Sequence, residues 1–76
     1  MESLEKVVRS MKDIEVGSRY RIIEVRDGEI AGRGQAFEVI SINGSKFLIR
    51  NIGGYFFDIY NILDYTGGGL RLIKTS

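Results

Sequence analysis

The chain has 76 residues, 43% of them hydrophobic, with 11 basic and 10 acidic side chains and no His, Cys, Trp or Pro. A domain of this length buries only about 60–65% of the surface its unfolded chain exposes, so self-association into a homo-oligomer is expected to supplement its core. The lack of Cys excludes a disulfide framework and a thiolate metal site, and the lack of His removes the commonest acid–base group near neutrality, so no cofactor, no metal and no enzymatic activity are expected.

Residues 1–17 carry three basic and four acidic groups, and residues 18–76 carry eight and six. No apolar run reaches the length of about 18 residues that a membrane span needs. The opening Met1-Glu2-Ser3-Leu4-Glu5 is acidic and polar, unlike a signal peptide. A cytoplasmic protein without a membrane partner is expected.

Residues 1–16 read as a short amphipathic helix and its linker. Leu4, Val7, Val8 and Met11 share one helical face. Ser3 suits the N-cap, Glu5 the first turn and Lys12 the last, with the end near Asp13. About ten residues are too few for a helix alone in water, so this one should dock on the rest of the chain or on another subunit.

Residues 17–76 read as one small β-barrel. Glycines at 17, 28, 32, 34, 44, 53, 54, 67, 68 and 69 separate short β-branched and aromatic runs. The first strand is placed at Arg19–Val25, followed by a long polar loop over 26–35. The second strand is Ala36–Ile42, and Asn43-Gly44 predicts a type I′ hairpin turn, which Ser45 could widen. The third strand is Lys46–Asn51, and Gly53-Gly54 turns the chain. A strand from Tyr55 to about Asp58 precedes a single helical or 3₁₀ turn. Gly67-Gly68-Gly69 is a flexible link, and Leu70–Lys74 is the last strand, paired with the first.

Five short strands with a long first loop, a tight hairpin and a short turn before the last strand resemble an SH3-like barrel, with an OB-like barrel as the other fold. The resemblance rests on element order, and with no Trp in the chain it implies no proline-rich ligand. Free-standing chains of this size and style look like accessory proteins of phages or mobile elements. That likeness implies capture of a nucleotide signal or inhibition of a host protein.

Three groups of residues are candidates for binding. Gly32-Arg33-Gly34-Gln35 is read as a Gly-x-Gly turn whose backbone N–H groups and guanidinium could cradle a phosphate. It is distantly similar to the glycine-rich hairpin of protein kinases, yet no Walker motif follows. Arg19, Arg21 and Arg50 could add planar forks of donors, as seven of the 11 cations are Arg. Tyr55 and Phe56, in the run Tyr55-Phe56-Phe57, could stack a base, because alternation sends neighbours to opposite faces. Glu24, Asp27, Glu29, Glu38, Asp58 and Asp64 show no close-spaced pair for a metal or acid–base site. The sequence thus favours a phosphate-bearing partner, either a nucleotide or a nucleic acid. The alternative is a protein–protein interaction module.

Overall fold

Tyr20 and Ile22, Phe37 and Val39, and Phe47 and Ile49 recur at every second position of their segments. In the computed structural model, which describes residues 6–75, each segment is a β-strand turning these side chains to one face. Six strands follow in order: β1 (Arg19–Arg26), β2 (Glu29–Arg33), β3 (Phe37–Asn43), β4 (Lys46–Asn51), β5 (Phe56–Tyr60) and β6 (Leu70–Lys74). All pairings are antiparallel. The fold is mainly β, a single curled sheet in the shape of a half-barrel.

β1 is the centre of the sheet. One of its edges takes β6 in five-residue register from Tyr20↔Lys74 to Glu24↔Leu70. The other edge is shared: Arg19 and Tyr20 face β3, while Ile23 to Arg26 face β2. The Gly34 N–H donates to the Ile22 carbonyl at 2.8 Å between those two ladders, so β2 and β3 run as one bent strand along β1. β4 and then β5 continue the sheet beyond β3. The concave face holds Tyr20, Phe37, Val39, Phe47, Ile49, Ile62 and Leu72, closed over by Val8 and Ile14.

The expected pairing of the last strand with the first is present, and Lys46–Asn51 matches its predicted bounds. Several expectations need correction. Residues 26–35 are not a loop but a turn and a sixth strand. Asp27 (φ 54°) and Gly28 (φ 78°) both lie in the left-handed region, as a type I′ turn requires, and Arg26 pairs with Glu29 across it. The second hairpin turns one residue later than expected. Asn43 pairs with Lys46, Gly44 has φ 62° and Ser45 is not left-handed, so the loop is Gly44-Ser45 with the glycine-first pattern of type II′.

The amphipathic helix is absent from the described residues; its Ser3, Leu4 and Glu5 lie outside them. Val7 bridges to Ile73, and the Val8 N–H donates to the Leu72 carbonyl at 2.7 Å. Met11–Asp13 makes a 3₁₀ turn. An extended chain lets β-branched Val7-Val8 satisfy the free edge of β6, whereas so short a helix would bring little stability of its own. β5 runs to Tyr60 rather than stopping at Asp58, which pairs with Leu48 inside the strand and caps nothing. The 3₁₀ turn comes later, at Ile62–Tyr65. Gly67 and Leu70 exchange both backbone hydrogen bonds (3.0 and 2.8 Å), so the triple glycine is a pinned turn, not a loose link.

Candidate binding surface

β5 ends the sheet. Its odd residues spend their backbone groups on β4: the Asn51 N–H donates to the Tyr55 carbonyl at 2.9 Å, and the Asn61 N–H donates to the Ser45 carbonyl at 2.8 Å. Hydrogen-bonded pairs alternate along an antiparallel ladder. Ile49↔Phe57 and Phe47↔Ile59 therefore complete that set. The N–H and C=O groups of Phe56, Asp58 and Tyr60 point away from the sheet, and no backbone partner meets them among the described residues. β6, in contrast, has its outer edge covered by Val7-Val8.

Five large apolar side chains along β5 and the turn before it are exposed. Ile52 is 71% exposed, Tyr55 69%, Phe56 56%, Phe57 51% and Tyr60 57%. Large aromatic rings are seldom left in water in such a run without a partner. Phe57 lies on the concave side with Ile49, while Phe56 and Tyr60 lie on the convex side opposite Arg50 and Lys46. Asp58 sits between them, its Oδ2 3.9 Å from Lys46 Nζ.

Asn51 fixes the turn that leads into this edge. Its Oδ1 accepts from the N–H groups of Gly53 and Tyr55, both at 3.0 Å, and its carbonyl accepts from Gly54 N–H at 3.0 Å. Gly54 closes the loop at φ 85°, where a side chain would be strained.

The register also builds a row across the convex face: Arg19 opposite Glu38, Glu38 opposite Arg50, Arg50 opposite Phe56. Arg50 Nη2 meets Glu38 Oε1 at 2.6 Å. A cleft of about 350 Å³ opens beside this row, lined by Arg19, Phe37, Glu38, Arg50, Asn51 and Ile52 among others.

The expected site residues therefore divide. Arg19 and Arg50 share the cleft, Phe56 ends its row, and Tyr55 stands at the adjoining turn. Arg21 lies one step along the same face of β1, half-buried and opposite Ile73. Gly32 and Arg33 pair with Glu24 and Ile23, four residues from Arg19 along β1, or roughly 13 Å at the rise of a strand. Gly32 and Arg33 are thus strand and Gly34 follows directly on it, so Gly32-Arg33-Gly34 is not a Gly-x-Gly turn. Neither glycine has positive φ, and the Gly34 N–H is used by Ile22. An added Cβ at Gly34 would stand 3.0 Å from the Ile22 carbonyl, so this glycine serves close strand approach. Gln35 is exposed and leads into Ala36 at the cleft wall.

The sequence reading missed Glu38, Asn51, Ile52 and Tyr60. Asn51 was findable, since Asn-x-Gly-Gly favours a turn built on the Asn side chain. Elsewhere the Arg26 guanidinium is held by Glu24 at 2.8 Å, and that hydrogen bond, with the charge attraction, raises its pKa above the ordinary value. No helix among the described residues is long and apolar enough to cross a membrane. Comparison of the chain with protein-family models, with curated proteins and with solved structures gives no match in any of the three.

Proposed function

We propose that this chain is a non-enzymatic binding protein that docks a protein partner on the β5 edge. One observation carries the reading: of the two strands that end the sheet, β2 and β5, it is β5 that bears exposed large apolar side chains, Phe56, Phe57 and Tyr60. Backbone groups on such an edge give affinity, and the alternating side chains give selectivity. A photo-cross-linking residue in place of Tyr60 tests this in lysate of the source cell. It should trap a discrete partner band that the same residue in place of exposed Asp27 does not. Equal, diffuse labelling from both positions would contradict the reading.

A phosphate-bearing ligand is the second reading, favoured by the cleft. Arg19 and Arg50 both line it, and Tyr55 and Phe56 lie beside it for stacking. The carboxylate of Glu38 between the two cations weighs against it. With either partner, we take the half-barrel as SH3-like, on the support of strand order and of the β1–β6 pairing.

A further inference from the structure

We propose that the occupant of the β5 edge is an extended strand of another protein, carrying a basic side chain opposite Asp58 with apolar side chains on either side. The inference rests on the reading of β5 as a docking edge and names what fits it. Three features of the edge specify the occupant.

The outward backbone groups of Phe56, Asp58 and Tyr60 can accept an antiparallel strand of about five residues, the same pairing that every other ladder of this sheet uses. In that register the side chains opposite Phe56 and Tyr60 continue the convex face, where an aromatic or β-branched residue packs best. Those opposite Phe57 and Ile59 continue the apolar concave face. The position opposite Asp58 is different. Its carboxylate is about half exposed, and its one cation, Lys46, stands at 3.9 Å and is equally exposed. An exposed pair of that length contributes little, so a second cation across the ladder is favourable.

The same carboxylate argues against a second copy of this chain. A two-fold antiparallel pairing that uses all of β5 must match Phe56 with Tyr60 and therefore Asp58 with Asp58. Like charges directly opposite are destabilising. Sliding the register by two residues avoids the clash but leaves only three residues of each strand paired. A charge in the middle of an open edge is a common device against self-pairing, and here it also selects the partner.

The test uses the full chain and a synthetic peptide with the core Val-Phe-Val-Arg-Val-Tyr-Thr, flanked by Gly-Ser and labelled for fluorescence anisotropy. A second peptide carries Glu for Arg, and a third carries N-methyl groups on the backbone amides that would face β5. The Arg peptide is expected to bind about tenfold tighter than the Glu peptide, the effect of exchanging a favourable for an unfavourable cross-strand charge pair. Asp58→Lys should invert that order, and the N-methyl peptide should not bind. Equal binding of the Arg and Glu peptides, abolished by Phe56→Ser, would overturn the charged-strand inference but keep β5 as a docking edge. If no peptide binds and the Tyr60 cross-link is also absent, both readings fall. A dimer in sedimentation that Phe56→Ser dissociates would give the edge to a second copy and overturn the inference.

Discussion

Arg50 Nη2 lies 2.6 Å from Glu38 Oε1, so the cation opposite Phe56 is already held by a carboxylate on the next strand. Removing that carboxylate separates the two readings of the surface. Glu38→Gln should change stability by less than about 1 kcal/mol, since the pair is partly solvated. If the cleft takes phosphate, the freed Arg50 should bind ATP or a short oligothymidylate severalfold tighter than the parent at low salt. Arg19→Ala should reverse the gain, and physiological salt should weaken it. Calorimetric titration decides; the same null heats from parent and both variants would remove the phosphate reading.

Tyr20 is fully buried, and its hydroxyl accepts the Glu15 N–H at 2.7 Å, tying the segment before β1 to the core. Tyr20→Phe keeps the ring and removes the acceptor. The cost should be about 1–2 kcal/mol, which in a domain of this size lowers Tm by roughly 4–8 °C for each kcal/mol. A melting curve superimposable on the parent's would show that this tie holds nothing.

Two glycines should fail for different reasons. At Gly44 an added Cβ meets nothing, so Gly44→Val is disfavoured by its φ of 62° alone. It should cost about 1–3 kcal/mol, and Gly44→Asn should recover part of that because Asn accepts the left-handed region. Gly34 has no such φ, but its Cβ would stand 3.0 Å from the Ile22 carbonyl. Gly34→Ala should therefore push the bent β2–β3 strand off β1 and speed exchange of the residue-34 amide. Denaturant melts combined with amide exchange distinguish the two effects; slow exchange in Gly34→Ala would refute the close-approach account.

The Asn51 side chain holds the turn before β5 through two hydrogen bonds. Asn51→Ala should lose about 1–2 kcal/mol by leaving those two donors without their acceptor. The loss should appear first as faster exchange of the Gly53 and Tyr55 amides. Uniform loosening of all strands would show that the turn is not locally pinned.

Strands with a strong period of two were legible from residues alone: Tyr20 and Ile22, Phe37 and Val39, and Phe47 and Ile49 all reach the core. β2 was not legible, because Ile30 is the one large apolar residue in Glu29–Arg33 and the pattern has nothing to repeat. Its turn, Asp27-Gly28, carried as strong a hairpin signal as Asn43-Gly44, but the glycines after it made the segment read as loop. The N-terminal segment misled for the opposite reason. Val7, Val8 and Met11 fit a helical face, yet the open edge of β6 offers Val8 a hydrogen bond that a lone helix cannot match. The candidate surface depends on register and strand order. Glu38 meets Arg50 across 12 residues of sequence, and β5 is exposed because it comes last in the ladder. Neither fact is local.

The central claim is that β5 is an open edge awaiting a strand, and residue-resolved amide exchange with and without the Arg peptide tests it most directly. In the free protein Phe57 and Ile59 should exchange slowly, and Phe56, Asp58 and Tyr60 fast, because only the first two amides face β4. Saturating peptide should slow Phe56, Asp58 and Tyr60 and leave the pattern elsewhere unchanged. Fast exchange persisting at those three amides while the peptide is bound would contradict the account.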